Sequence, residues 1–223
     1  ASNNTTTSSR SCTVTATHAG KSATCTVTQS AGEITYGAWK VTITANPTTI
    51  AAAGGTSTLT YSAVRNVLTN GTVTGTEKAT PTISGSATGF TRSGATVTAA
   101  NNTTTSSRSV TYTATHEGKS ATCTVTQSAG SKQYASWSDW TVTVSANPTT
   151  IARTGGTSTI TASATRTRTW TWNGVSGSGG TESEKGTPAL SASGTGFSLS
   201  GTTLTASNNT TTSSRSCTVT ATH

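Results

Sequence analysis

The sequence predicts an all-β chain. Three observations carry the prediction. Apolar and hydroxyl residues alternate with period two almost throughout, no stretch shows a helical period, and long segments recur about every 100 residues. Thr and Ser make up roughly two-fifths of the 223 residues, while Leu, Ile, Val and Phe reach only about an eighth. So little apolar material would suggest disorder if the polar residues were Glu, Lys or Pro. Thr is β-branched, however, and favours extended, pleated backbone.

The repeat sets the organisation. ASNNTTTSSRSCTVTATH opens the chain at Ala1–His18 and returns unchanged at Ala206–His223, and the variant AANNTTTSSRSVTYTATH lies at Ala99–His116. ANPTTIA recurs at Ala45 and Ala146, GGTST at Gly54 and Gly155, and GKSATCTVTQSAG at Gly20 and Gly118. The outer copies share Cys12 and Cys217 where the middle one has Val110, so two units of unequal length are expected to form a larger period. Residues 1–32 then read as the C-terminal hairpin of a preceding repeat. Residues 33–130 read as one complete domain, and 131–223 as a second domain lacking its last strand. Extra residues in the second unit fall before Trp140 and within 172–180, where loops on a common scaffold would absorb them. With no initiator Met and no leader-like pattern, the chain is expected to be a segment of a longer protein.

Each strand of the complete unit has a local reason. KVTITA, STLTYSA, ATVTA, SVTYTATH and SATCTVTQ alternate Val, Ile, Leu, Ala, Tyr or Cys with Thr or Ser, the pattern of a half-buried antiparallel strand. Strands are predicted at 39–45, 56–64, 79–84, 95–99, 109–116 and 120–128, with a weaker one near 66–74. Asn46-Pro47 and Asn147-Pro148 end the first strand of each unit, as Pro at a sheet edge does. Ala19-Gly20 and Glu117-Gly118 join the last two strands as tight hairpins, with Gly supplying positive φ. The sum is a tandem array of immunoglobulin-like β-sandwich repeats of about seven strands each.

Composition narrows the function. The six acids (Glu33, Glu77, Glu117, Asp139, Glu182, Glu184) and three His leave little for a carboxylate-pair enzyme, a His-rich metal site or a calcium site. The chain is therefore expected to have no catalytic residue, no metal site and no cofactor. No apolar run is long enough to span a membrane, so membrane insertion is not expected. The net charge of +8 is scattered singly along the chain, unlike the clustered charge of nucleic-acid binders, so no nucleic-acid partner is expected.

Cys12 and Cys25 lie on neighbouring strands of one hairpin, on the apolar parity, where a disulfide between them is conceivable. In the middle copy Cys123 is expected to face Val110, which rules out a bridge there, and a residue exchangeable with Val reads as a buried free thiol. His18, His116 and His223 occupy one repeat position and read as turn-flanking polar residues. Asn4, Asn70, Asn102 and Asn209 sit in N-x-Thr sequons, which recur by chance in a Thr-rich chain.

Two aromatic groups stand out. Tyr36, Trp39, Tyr134, Trp137 and Trp140 open the two units and are expected to pack at the joint between consecutive sandwiches. Arg166, Arg168, Trp170 and Trp172 share one strand face and lead into the Gly-rich insertion of the second unit. Trp rings with flanking donors suit a carbohydrate ligand. The same residues serve equally as cross-strand packing with cation–π support.

The order ANPTTIAAAGGTSTLT, NNTTTSSRSVTYTATHEGKSATCTVTQSAG resembles BACON and related bacterial immunoglobulin-like domains. The resemblance rests on the Asn-Pro opening, the Gly-Gly-Thr before the second strand, the Asn-Thr/Ser-Ser-Arg stretch and the terminal hairpin ending Val-Thr-Gln. The first unit departs from the family in carrying RNVLTNGTVTGTEK where a tryptophan-rich region is usual. The resemblance implies an extracellular place, in surface proteins of Bacteroidales bacteria or fibre and tail proteins of their phages. It implies either a spacer role or binding of mucin-like glycans. The expected function is a structural repeat of a fibre or adhesin stalk presenting a distal tip, with a carbohydrate-binding module as the alternative. The expected partners are neighbouring copies of the same repeat, through strand complementation or homo-oligomeric fibre assembly, and glycans.

Overall fold

The structure, a computed structural model, describes all 223 residues and is β throughout, without a helix. The chain divides into two compact units, Ala1–Gly130 and Ser131–His223.

The first unit begins with a hairpin, β1 (Arg10–His18) and β2 (Lys21–Gln29), that forms a two-stranded sheet of its own. Next come β3 (Ile34–Tyr36), β4 (Lys40–Asn46), β5 (Thr49–Ile50), β6 (Gly55–Thr69), β7 (Thr72–Ala79) and β8 (Thr82–Ser84). The remaining strands are β9 (Phe90–Ser93), β10 (Thr96–Ala99), β11 (Arg108–His116) and β12 (Lys119–Gln127). One sheet is assembled around the long β6, which pairs with β3, β4, β7 and β10, with β9 outside β10. The other has the order β5-β12-β11-β8, with β5 running parallel to β12.

The two sheets face each other across one core. Ile43, Leu59, Phe90 and Val97 come from the first sheet, and Ile50, Val110, Tyr112, Ala114 and Val125 from the second. The apolar parity seen in the sequence is thus the inner face of a sandwich. On the outer faces hydroxyls pair across strands, as Thr42 with Ser62 at 2.9 Å and Thr111 with Thr124 at 2.9 Å. Such pairs are how a Thr-rich surface contributes to sheet stability.

Four differences from the sequence reading have physical causes. First, the segment read as a weak strand near 66–74 is a hairpin. β6 continues to Thr69, turns at Asn70-Gly71 with φ of 50° and 78°, and returns as β7. Asn-Gly tolerates two successive positive φ angles, which is what a two-residue hairpin needs. Second, β12 meets β11 with Tyr112 opposite Cys123 and Val110 opposite Val125, two residues away from the expected register. The Glu117-Gly118 turn sets that register by closing His116 onto Lys119. Third, Cys12 and Cys25 are free and exposed, not buried, because no second sheet lies against β1 and β2. Cys12 pairs with Val27 and Cys25 with Val14, so the thiols are not opposite each other. Fourth, His116 is no simple turn residue: its ring meets Trp39 edge-on at 4.5 Å.

The hairpin is tied to the rest of its unit by Asn70, whose Nδ2 donates to Asn3 Oδ1 at 3.0 Å and to the Asn4 carbonyl at 3.1 Å. Asn4 and Asn102 are buried polar hubs. Asn102 Nδ2 donates to the carbonyls of Ser106 and Ser128, each at 2.9 Å, while its Oδ1 accepts from Thr104 N and Oγ1. Asn4 makes the same four bonds with Ser8, Ser30 and Thr6. These sequon asparagines organise loops.

The second unit contains β13 (Lys132–Tyr134), β14 (Thr141–Asn147), β15 (Gly156–Trp172), β16 (Gly180–Gly186) and β17 (Ala189–Ser193). It closes with β18 (Phe197–Ser200), β19 (Thr203–Ala206) and β20 (Thr218–Thr222). Here β15 is the spine, pairing with β13, β14, β16 and β19, with β18 beyond β19. β17 and β20 make the second sheet. The residues inserted at 173–179 form the turn between β15 and β16, which Ser178 ties down by accepting from Trp172 N at 3.1 Å and donating to the Val175 carbonyl at 2.6 Å.

Candidate functional site

The densest concentration of aromatic and charged side chains lies on one face of β15. Period-two geometry puts Arg166, Arg168, Trp170 and Trp172 on that face. β16 pairs antiparallel with β15 and sets Glu184 opposite Arg166 and Glu182 opposite Arg168. Each guanidinium is held at its edge by the facing carboxylate: Arg166 Nε to Glu184 Oε2 is 2.7 Å, and Arg168 NH2 to Glu182 Oε2 is 3.0 Å.

The faces of the same guanidiniums are covered by rings from the other side of the strand. β13 places Tyr134 beside β15, and the following segment adds Trp137 and Trp140. Backbone bonds from Ala135 N to the Thr169 carbonyl (2.9 Å) and from Ser138 N to the Thr167 carbonyl (2.8 Å) hold that segment along β15. Arg168 lies over Tyr134 at 4.0 Å and Trp137 at 4.5 Å. Arg166 lies over Trp137 at 4.9 Å and Trp140 at 4.6 Å. The result is an alternating stack, Tyr134, Arg168, Trp137, Arg166, Trp140, which His223 ends with an edge contact to Trp140 at 4.2 Å. Cation–π contacts of this kind contribute about 0.5–1 kcal/mol each where partly exposed.

The first unit has the same device with one cation fewer. Arg65 pairs with Glu77 at 2.7 Å and lies over Tyr36 at 4.2 Å and Trp39 at 4.6 Å. Trp39 Nε1 also donates to Glu117 Oε2 at 2.9 Å. The residues inserted before Trp140, together with the longer β15, supply the extra rung: Trp137, Arg168 and Glu182.

The structure therefore brings together two sets that the sequence kept apart. Tyr134, Trp137 and Trp140 stack with Arg166 and Arg168 inside their own unit, and Tyr36 and Trp39 do the same with Arg65. Trp170 and Trp172 stand next to this stack. Lys132 Nζ lies 4.0 Å from the Trp170 ring, and the two Trp rings meet nearly perpendicular, 87° at 6.1 Å. The carboxylates were missed at sequence level. Their signal was the cross-strand spacing of Glu182 and Glu184, alternate residues on the strand returning from the Asn173-Gly174 turn.

No three His, Cys, Asp or Glu side chains converge as metal ligands would, and no helix is long and apolar enough to cross a membrane. Two shifted ionisable groups lie in the first core. Burial pushes the Tyr112 phenol up, against an opposing pull from Arg92, and burial pushes the Cys123 thiol up. Neither faces a base or a carboxylate partner in a way that would make a nucleophile. What the β15 stack can do is chemical in a limited sense: it fixes two cations in register and rigidifies the sheet. No family model, curated protein or solved structure matches this chain.

Proposed function

We propose that this chain is a structural repeat segment of an extracellular fibre or adhesin stalk, on a bacterial surface or a phage fibre, that presents a distal binding tip. The observation that carries this reading is the verbatim return of Ala1–His18 at Ala206–His223, with a near copy at Ala99–His116. Repeated units let a fibre gain length by copy number alone, without new interfaces. The Thr and Ser pairs across the outer strands and the Arg–aromatic stacks supply many small, distributed contacts, which suit load-bearing better than catalysis. The resemblance to BACON-type domains supports an extracellular place.

The second reading, a carbohydrate-binding module, rests on Trp170 and Trp172 beside Lys132. Flat sugar platforms use coplanar rings, and the perpendicular contact of these two rings favours the structural role.

Single-molecule stretching tests the mechanical reading. Each domain of some ninety to a hundred residues should unfold as a separate event, releasing on the order of 300 Å of chain at ~3.3–3.6 Å per residue. A chain that extends without discrete events is no load-bearing repeat.

A further inference from the structure

The tips of the two long central hairpins carry the two Asn-Gly pairs of the chain, Asn70-Gly71 between β6 and β7 and Asn173-Gly174 between β15 and β16. Both residues of each pair have positive φ, 50° and 78° in the first and 54° and 73° in the second. Asn adopts that conformation more readily than most residues, and Asp shares the tolerance.

Each of these Asn residues is also bonded to the stretch that leads into its unit. Asn70 Oδ1 accepts from Glu33 N at 3.0 Å, and Asn70 N donates to the Glu33 carbonyl at 2.9 Å. Asn173 does the same with Ser131, at 2.8 Å each way. In the first unit Asn70 Nδ2 donates further, to Asn3 Oδ1 at 3.0 Å and to the Asn4 carbonyl at 3.1 Å. Asn4 in turn holds the end of β2, its Nδ2 donating to the Ser30 carbonyl at 2.9 Å. One side-chain amide therefore couples the sandwich to the β1–β2 hairpin.

The Asn-Gly pair has a chemistry of its own, and Asn is among the thermolabile residues. The backbone nitrogen that follows an Asn can attack its side-chain carbonyl. Gly offers that nitrogen unobstructed, and no atom lies within 4 Å of where a Cβ on Gly71 would stand. After losing its proton to base, Gly71 N bonds to Asn70 Cγ, the Cγ–Nδ2 bond breaks, and ammonia leaves with a proton from water. Water then opens the five-membered imide at one of its two carbonyls, giving aspartate, or isoaspartate with the main chain rerouted through the side chain. The net change is Asn plus water to Asp plus ammonia. Attack requires Cγ to turn toward Gly71 N, away from Glu33, Asn3 and Asn4, so the reaction proceeds from molecules whose tip has opened. The product cannot restore the tie. An ionised carboxyl only accepts hydrogen bonds, and at position 70 it would face two further acceptors, Asn3 Oδ1 and the Asn4 carbonyl.

We propose that Asn70 is a self-modifying lock. Its spontaneous deamidation uncouples the β1–β2 hairpin from the sandwich, and the tie that it makes is what protects it from that reaction. The inference is independent of the fibre reading, since it needs only the hairpin tip and its three partners.

Ageing the 223-residue chain at mildly alkaline pH, followed by peptide mass mapping, tests it. The segment carrying Asn70 should show the mass gain of amide-to-acid conversion, more slowly than the free peptide LTNGTVT does. Asn66, exposed but followed by Val67, should stay unchanged. Asn3→Ala removes one acceptor at an exposed position and should speed conversion at Asn70 several-fold. Hydrogen exchange of residues 30–36 reads the tie itself. Asn70→Asp keeps a residue that tolerates the turn and should exchange about tenfold faster there than the parent, as should the aged, converted chain. Asn66→Asp, the control for added charge, should exchange as the parent does. Conversion at Asn70 as fast as in the free peptide, or absent, overturns the proposal. So does a rate that Asn3→Ala leaves unchanged, or parent-like exchange in Asn70→Asp.

Discussion

Replacing Asn102 with Ala should destabilise the first unit by about 3 kcal/mol. The side chain is wholly buried and makes four hydrogen bonds, two as donor to the Ser106 and Ser128 carbonyls and two as acceptor from Thr104. Truncation leaves those carbonyls and an amide short of partners in a site closed to water. Each such loss costs about 1–3 kcal/mol when uncompensated, and local relaxation recovers part of the total. Asn209 provides the control within the same chain. It makes only three of the four bonds and is partly exposed, so water can replace what is lost. Asn209→Ala should cost about 1 kcal/mol. Pulsed thiol labelling in urea, read by peptide mass at Cys123 for the first unit and Cys217 for the second, reports each unit separately. With a urea slope of about 2 kcal/mol/M, the Asn102 variant should lower its midpoint by about 1.5 M. Equal shifts for the two variants, or less than about 1 kcal/mol at Asn102, would refute the hub reasoning.

Other consequences follow from the stack and the first core. Arg166→Ala removes a carboxylate pair and two ring contacts from a partly exposed site and should destabilise the second unit by about 1.5 kcal/mol, with Arg166→Lys recovering less than half, since an ammonium lacks the planar face. Four of the five Trp lie in the second unit, so tryptophan fluorescence during urea unfolding reads this directly. In the folded chain Cys12 and Cys25 should react with a thiol reagent at once and Cys123 slowly, with its rate rising only at more alkaline pH. Because Tyr112 and Cys123 are both raised, the folded first unit holds their protons longer than the unfolded chain does. Its stability is therefore level below the ordinary thiol range and declines as pH rises through it, which urea midpoints between neutral and about pH 10 will show. On a glycan array, Trp170→Ala with Trp172→Ala should leave the profile unchanged; loss of a bound glycan would establish the carbohydrate reading instead.

Much of the fold is legible because Thr marks the outer face so regularly. Alternation gives β4, β10, β11 and β12 nearly residue for residue, and positive-φ turns at Ala19-Gly20 and Glu117-Gly118 fall where the glycines indicate. The Asn70-Gly71 hairpin was equally visible in RNVLTNGTVTGTEK, but Gly75 and the bulge between Val67 and Leu68 blur the alternation on both sides. β5 could not be read at all: two residues pairing in parallel with a strand some seventy-five positions away leave no local pattern. The stack was half legible. Arg166 and Arg168 share a face by parity, whereas their meeting with Tyr134, Trp137 and Trp140 depends on β13 folding back along β15. Exposure of Cys12 and Cys25 lay beyond sequence, because their counterparts, Val110 in β11 and Cys123 in β12, are covered by a second sheet that β1 and β2 do not have.

The central claim is that this segment is one period of a repetitive extracellular stalk. Immunogold electron microscopy of the native assembly, with an antibody raised against the recurrent ASNNTTTSSRSCTVTATH segment, tests it most directly. Label at regular intervals along thin fibres on cells or virions is the expected result. Label confined to a single point at a fibre tip, or scattered over compact particles, would contradict it.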